Sequence, residues 1–424
     1  MLKKITASAL IFAVLMLSAC SNGKDNETTT TSAESTSATS GEAASGTTTG
    51  TAAETADTDE AAYSAMVERA LMTTGDEARM ISVLQKAARG EEITVGYIGG
   101  SITEGLTAGS ELCWAKLTYN WLCEKFPDTK INYVNAGMSG TPSTLGVIRA
   151  ERDLYSEYTP DIVFIEFAVN DAQDTTSKQC YESLVAKIMQ KENNPAVVLL
   201  FTVLENGYTC EEHMSAVGNN YSLPMISLRS ALQPEFDAGR MVWDDYSDDQ
   251  SHPNVWGHEM VADLIENYYN KILKNMEYLT VAPEIKPMNE TPLFSTQYAD
   301  VKLLDSTNFT PETLGSFTFN ETVLTQFPGG WDYRREGLEP MTLKLTCRSL
   351  FMIFRCNNSD KYGTADVYVD GELVISVNSN RTNGWSNPEA QLIFSNTESA
   401  EHEITIKMQD DTKYYAIVGF GYCE

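Results

Sequence analysis

The stretch Ile93-Thr94-Val95-Gly96-Tyr97-Ile98-Gly99-Gly100-Ser101 decides the fold. A short apolar, β-branched run closed by glycines reads as a buried strand, because a helix needs a longer segment and a 3.6-residue period. Four similar runs follow, at Ile131–Val134, Asp161–Phe167, Ala196–Val203 and Leu223–Leu228. Between and after them lie segments of helical character, at about Glu111–Lys125, Ser143–Tyr155, Lys178–Gln190, Cys210–Val217 and Trp256–Met276. That alternation predicts βαβ units, hence an α/β domain with a sheet of about five parallel strands covered by helices on both faces. In such a sheet the Gly99-Gly100-Ser101 end of the first strand puts a hydroxyl at the carboxyl edge, where open α/β folds build their sites.

A serine hydroxyl is a poor nucleophile until a general base takes its proton, and an imidazole held in one tautomer by a carboxylate does this. Asp249-Gln250-Ser251-His252 carries both groups on one loop. The chain has four histidines, so the base can be sought by elimination. His213 falls at a helix start away from the key strand ends, His258 opens the closing helix and is expected to pack or cap, and His402 lies in a later β-rich region. His252 remains. Taken singly, a serine after two glycines is an ordinary turn and Asp-x-x-His an ordinary loop.

Four blocks in one order give these residues a context. Gly99-Gly100-Ser101, Asn135-Ala136-Gly137-Met138-Ser139-Gly140, Ala168-Val169-Asn170-Asp171 and Asp249-Gln250-Ser251-His252 resemble the four blocks of the SGNH hydrolases of the GDSL esterase superfamily. The resemblance covers residues 93–275 and implies a three-layer α/β/α, flavodoxin-like fold. It also implies Ser101 as nucleophile, His252 as base, Asp249 as its orienting carboxylate, and an oxyanion hole made by the Ser101 and Gly140 amides and the Asn170 side chain. The residue types suit these tasks. Fixed neutral N–H donors stabilise an oxyanion without bringing a charge that must be desolvated, and glycine lets a backbone approach substrate closely. Two positions depart from the family pattern, with Gly100 where Asp is common and Ala168 where Gly is common. Neither carries the attacking atom or a transferred proton, so local loop differences are expected. There is no Gly-x-Ser-x-Gly elbow, which argues against the α/β-hydrolase alternative.

Glu104 and Trp114, near Ser101 in sequence, are candidates to line the substrate site. No cofactor is expected. The acidic run Asp244, Asp245, Asp248 and Asp249 has no second histidine nearby for a zinc site and reads as a solvated loop around one working carboxylate.

The chain of 424 residues is too long for one ordinary domain. Lys3 and Lys4 precede an apolar stretch ending in small residues, a secretion signal in form over residues 1–19. Leu17-Ser18-Ala19-Cys20 resembles the lipobox of bacterial lipoproteins, which implies lipidation of Cys20 and a place on the extracellular face of the cell membrane. Residues 20–59 are dominated by Thr, Ser, Ala, Gly and Glu and are expected to be a disordered tether, with a typical reach of about 35 Å. Residues 60–277 then form the hydrolase-like domain with lead-in helices.

From residue 278 to 424 helical periodicity gives way to short strands with polar turns, Asp370-Gly371 being a hairpin signal, and a jelly-roll-like β-sandwich is expected. Trp331, Tyr333 and Trp385 fall in expected turns of this region, where they could stack on sugar rings, although core packing is the ordinary fate of any one of them. Seven cysteines besides Cys20 show no metal-site or disulfide-framework spacing and read mostly as small buried hydrophobes; a Cys347–Cys356 bridge is one pairing the spacing allows. A formal charge of −29 disfavours nucleic acid as a partner. Secretion on a tether and an appended β-sandwich together point to an O-acetylated polysaccharide, of xylan or mannan type, as the substrate of a membrane-tethered serine esterase. A lipase or thioesterase, and a noncatalytic glycan-binding lipoprotein, are the alternatives.

Overall fold

The computed structural model describes residues 51–279, 281 and 283–424. The signal segment, Cys20 and most of the expected tether lie outside these residues. Residues Ala65–Glu424 form one compact unit. Its elements begin with α1 (Thr51–Ala70), β1 (Leu71–Thr73), α2 (Ala78–Ala88), β2 (Ile93–Gly99), α3 (Ser101–Glu104), α4 (Trp114–Lys125), β3 (Ile131–Gly137) and α5 (Ser143–Leu154). There follow β4 (Ile162–Glu166), α6 (Thr175–Met189), β5 (Ala196–Phe201), α7 (Glu211–Asn220), β6 (Met225–Ser227), α8 (Leu228–Asp237), α9 (Trp243–Tyr246) and α10 (Val255–Met276). The chain then turns to strands only: β7 (Lys302–Leu304), β8 (Phe317–Asn320), β9 (Gly330–Tyr333), β10 (Met341–Asn357), β11 (Thr364–Val369), β12 (Glu372–Asn378), β13 (Trp385–Met408) and β14 (Ala416–Cys423).

The first sheet has the order β1-β6-β5-β4-β2-β3. Strands β2 to β6 are parallel, as the five apolar runs predict, and β1 adds a short antiparallel edge that no local pattern announced. Alternation along a strand sends successive side chains to opposite faces. Tyr97 and Phe164 accordingly stack with each other and against Trp114 of α4, while Phe164 also meets Tyr269 of α10. Their neighbours Ile98 and Ile165 point the other way, into a core shared with α5 and α6. The chain moves from β2 outward to β3 and then back to β4 on the other side of β2. This reversal places a crevice between the carboxyl ends of β2 and β4.

The expected β-sandwich is one continuous hydrogen-bonded sheet, ordered β12-β11-β13-β10-β14-β9-β8, with β7 paired to β14. Register shifts at Cys347/Ser349 break the long β10–β13 ladder, and residues from both halves, Met341 and Leu343 with Leu350, Met352 and Phe354, enter one apolar cluster. The sheet therefore curls around its own core. The opposite face of its central strands is not solvated. Phe351, Ile353, Ala416, Val418 and Cys423 join the cluster that holds Ile148, Leu184 and Val301, so the two domains share a core. Gly421 has no Cβ because one there would meet Ile148 at 2.8 Å.

The connector is fixed just as firmly. The fully buried Glu182 of α6 accepts hydrogen bonds from the amides of Leu293, Phe294 and Ser295 and from the Tyr221 hydroxyl. Replacing it by leucine strands these donors, and we expect Glu182→Leu to lower the unfolding free energy by about 3 kcal/mol in urea titrations. An unchanged midpoint would remove the carboxylate from its place as the connector's anchor.

Several expectations need correction. Helix α1 starts at Thr51, inside the segment assigned to the tether; its far end is anchored by the buried Met66 and Ala70 and by Arg69 donating to the Ser230 and Ala231 carbonyls. Trp331 and Tyr333 are buried strand residues of β9, exposed by 3% and 2%, and cannot present a face to a sugar. All seven described cysteines are free thiols. Cys347 and Cys356 both lie on β10, roughly 30 Å apart at strand rise, far beyond the roughly 7 Å that a bridge allows.

Candidate active site

Ser101 is the first residue of α3, separated from Gly99 of β2 by Gly100 alone, and is 7% exposed. Its Oγ lies 2.9 Å from His252 Nε2, and His252 Nδ1 lies 2.7 Å from Asp249 Oδ2. The other oxygen of Asp249 accepts from the amides of Ser251 at 2.6 Å and His252 at 2.7 Å. Partial burial works against its charge, but these amides and the imidazole together hold the Asp249 carboxyl below the usual carboxylate range. The Asp249 carboxylate is thus spent on one ring and its own loop. Among the described residues no group of three or more His, Cys, Asp or Glu side chains is arranged to hold a metal ion.

The loop that carries Asp249 and His252 is built rather than draped. The buried Ser247 hydroxyl lies within hydrogen-bond reach of the Asp249 and His252 carbonyls, Trp243 Nε1 donates to the Asp249 carbonyl at 2.6 Å, and Glu205 N donates to Gln250 O at 3.0 Å. Asn254 then caps α10 through Gly257 N at 2.9 Å, which stops the loop immediately after His252-Pro253.

Asn170 follows β4 across the crevice. Its carboxamide lies against Gly100: a Cβ at residue 100 would stand 2.3 Å from Asn170 Oδ1. In this chain a residue larger than glycine at 100 would displace the amide. Gly140, beyond β3, has φ +70°, the left-handed region that glycine enters freely. Its loop is tied to the Ser101 segment by Met138 N donating to Gly99 O at 3.0 Å. A second tie is Glu104 Oε2, which accepts from Ser139 N at 2.7 Å and from the Ser139 hydroxyl.

Glu104 is therefore exposed but engaged in bracing the Gly140 loop. Trp114 is no lining residue at all: it is fully buried, edge-on to Tyr97, with its amide donating to His258 Nδ1 at 3.2 Å. His258 packs as expected, burial pushing its pKa down to about 4. His213 is likewise buried on α7, and His402 pairs with Asp370 at 2.7 Å in the second sheet.

Sequence reasoning missed the buried polar frame beneath the crevice. Arg149, with no exposure, donates to the Gly99 carbonyl at 3.0 Å and the Ala136 carbonyl at 2.7 Å, joining the ends of β2 and β3. Glu166, at the end of β4, accepts from Thr103 at 2.9 Å and Thr202 at 2.7 Å, and burial raises its pKa. Asp171 accepts from the amide and hydroxyl of Ser143 at 2.6 and 2.5 Å.

Burial pushes the Asp171 carboxyl up to about 7 against those hydrogen bonds. A carboxyl raised on folding stabilises the native state below its ordinary pKa of about 3.9 and loses that contribution as pH rises through about 7. We therefore expect the stability of the wild type relative to Asp171→Asn to fall across that window in urea titrations at stepped pH. A flat or rising difference would contradict the assignment.

The second sheet also reaches this site. Trp385, at the start of β13 and 53% exposed, lies against Gly140, where an added Cβ would stand 2.8 Å from its ring. Beside it Asn387 Nδ2 donates to Gly140 O at 3.3 Å. Of the three aromatic residues singled out in this region, Trp385 alone is both exposed and beside the crevice.

Residues 97–260 match the family described as GDSL-like lipase/acylhydrolase. The chain is similar to the crystal structure of a two-domain esterase (CEX) active on acetylated mannans, with TM-score 0.75 and 27% identity over 84% of this chain and 99% of that one. A structure of such an esterase co-crystallized with mannopentaose gives TM-score 0.74 and 28% identity over 84% and 98% of the two chains. No curated protein matches.

Proposed function

With residues 97–260 a GDSL-like lipase/acylhydrolase domain and the chain a serine ester hydrolase, we propose that it removes O-acetyl groups from a polysaccharide of mannan or xylan type. The observation that carries this reading is the similarity of both domains together, over 84% of the chain, to an esterase active on acetylated mannans. A neutral substrate also suits a chain of net charge −29, which has no excess of cationic groups to offer an anionic one.

In the proposed mechanism His252 accepts the Ser101 proton as Ser101 Oγ attacks the acetyl carbonyl carbon. The carbonyl oxygen becomes an anion held by the Ser101 and Gly140 amides and the Asn170 side chain. Collapse of this intermediate breaks the ester bond, and the departing sugar oxygen takes the proton from His252. Water, deprotonated by the same imidazole, then attacks the acetyl-serine and releases acetate. Asp249 keeps the proton of His252 on Nδ1, so that Nε2 faces Ser101 as the acceptor.

Trp385 has a role in this reading as a platform for the sugar ring beside the acetyl group, an aromatic face being a good surface for the apolar side of a pyranose. Trp385→Ala is expected to raise KM for an acetylated polysaccharide about tenfold, equivalent to about 1.4 kcal/mol, with a much smaller effect on KM for nitrophenyl acetate. An equal effect on both substrates would speak against sugar stacking.

The cell-surface part of the reading is supported by sequence alone, through the signal-like start, Cys20 after Leu17-Ser18-Ala19, and the polar segment that follows. Cys20→Ser should then move it from the membrane fraction to the medium. The test of the whole is acetate release from acetylated mannan, xylan, pectin and peptidoglycan, alongside nitrophenyl esters of rising chain length. Release from mannan or xylan with a steep preference for acetyl supports the proposal; a preference for long acyl chains would favour a lipase or thioesterase.

A further inference from the structure

We propose that the C-terminal sheet sets the oxyanion donor of the hydrolase domain, Asn387 being a positioning residue for the Gly140 N–H. The inference rests on the serine-esterase reading above, in which that amide is one of three donors. Gly140 sits at φ +70° without a Cβ, so nothing in its own side chain restricts the peptides on either side. A donor that must be oriented during the reaction forfeits much of the benefit of a preorganised site. The peptide that carries the Gly140 N–H joins Ser139 to Gly140, and the peptides flanking it on both sides are anchored.

On the upstream side Glu104 Oε2 fixes Ser139 through its amide, at 2.7 Å, and its hydroxyl. On the downstream side Asn387 Nδ2 holds the Gly140 carbonyl at 3.3 Å, from a strand 247 residues further along the chain. The upstream hold belongs to the α/β domain and the downstream hold to the second sheet. Without the latter, rotation about the Gly140 backbone would be limited from one side only. The Trp385 ring, which would meet a Cβ of residue 140 at 2.8 Å, closes the space into which the loop would otherwise turn.

Asn387 is itself locked. It is 6% exposed, and its Oδ1 accepts from Trp385 N at 3.0 Å and from the Cys356 thiol at 3.4 Å, so its carboxamide cannot turn over without losing both. Between the two residues Ser386 adopts φ +80°, which costs a non-glycine residue of order 1 kcal/mol or more. The Ser386 hydroxyl is held there by Arg355 at 3.1 Å and Asn357 at 2.6 Å. A strained turn braced by two side chains, and spent on presenting one amide to a glycine of the other domain, is what a positioning device requires and what simple domain packing does not.

The test uses the full-length enzyme and nitrophenyl acetate, which has no sugar for Trp385 to hold. Asn387→Asp keeps the acceptor for Trp385 N and replaces the donor by a carboxylate facing the Gly140 carbonyl. The expected result is a fall in kcat of about tenfold, as a small misplacement of a catalytic group gives, with KM within about twofold, in an enzyme that remains folded at the assay temperature. Asn387→Ala is the second variant, and gives the same split if Asn387→Asp folds poorly. Wild-type kcat in either folded variant, or a loss of kcat that only follows a matching loss of melting temperature in both, overturns the proposal. Ser101→Ala is measured in parallel. If it remains active, the serine reading fails; if it is inert while the Asn387 variants keep wild-type kcat, only this inference fails.

Discussion

Ser101→Ala is expected to lower kcat on nitrophenyl acetate by about 10⁴-fold or more while leaving the melting temperature unchanged. The size follows from what the hydroxyl does. Without Oγ no acetyl-enzyme forms, and His252 could only direct a water at the intact ester, without the covalent intermediate. The donors at Gly140 and Asn170 would remain and give a small residual rate. The fold should tolerate the change because Ser101 is the first residue of α3 and its hydroxyl faces His252 Nε2 at 2.9 Å, while the helix is held by backbone bonds such as Gly105 N to Ser101 O at 3.0 Å. Activity near that of the wild type would mean that another residue carries the reaction.

Asp249→Asn should cost on the order of 10³ to 10⁴ in kcat, again with little change in stability. Proton placement sets the size of this loss. Asp249 Oδ1 accepts from two amides, Ser251 N and His252 N, so an asparagine would keep its carbonyl oxygen there and turn its NH₂ towards His252 Nδ1. A donor facing Nδ1 forces the proton onto Nε2. The ring then presents an N–H to Ser101 and cannot accept its proton. Because half of the Asp249 side chain is exposed, at 49%, the effect comes from geometry and tautomer rather than from burial of a charge. A loss of less than about tenfold would show that orientation by Asp249 is dispensable, against the large effect such a carboxylate has in other triads.

How much of this was legible in the sequence differs from element to element. Four of the five parallel strands, β2, β4, β5 and β6, stood out because each is buried on both faces and so reads as a nearly continuous apolar run, while β3, at the sheet edge, is only partly buried. Ser101, His252 and Asp249 were legible as residue types in order, and the crevice between β2 and β4 brings them together. What local pattern cannot carry is distance in the fold. Trp114 stands close to Ser101 in sequence, yet the helix it opens turns it into the core against Tyr97 and Phe164. Arg149 and Glu166 carry no local signal of their place; only the meeting of β2, β3 and β4 makes them a buried frame under the site.

The β-rich region shows the same limit. Period-2 patterning located most of its strands, but pairing decides which aromatic residues are inside. β9 pairs with both β8 and β14, so Trp331 and Tyr333 are enclosed, whereas Trp385 opens β13 and stays exposed beside Gly140. The expected end of the tether at residue 59 falls inside α1, because a helix that is anchored at its far end by Met66 and Ala70 extends back into a polar segment with no apolar pattern of its own.

The central claim, that Ser101 is the acylated residue of this esterase, is tested most directly by labelling. The wild type is treated with a nitrophenyl phosphonate, a reagent that stays on the nucleophile as a mimic of the tetrahedral intermediate, and the modified peptide is identified by mass spectrometry. A single phosphonyl group on Ser101, with loss of esterase activity in step with labelling, is the expected outcome. Inactivation with the label on any other residue would contradict it.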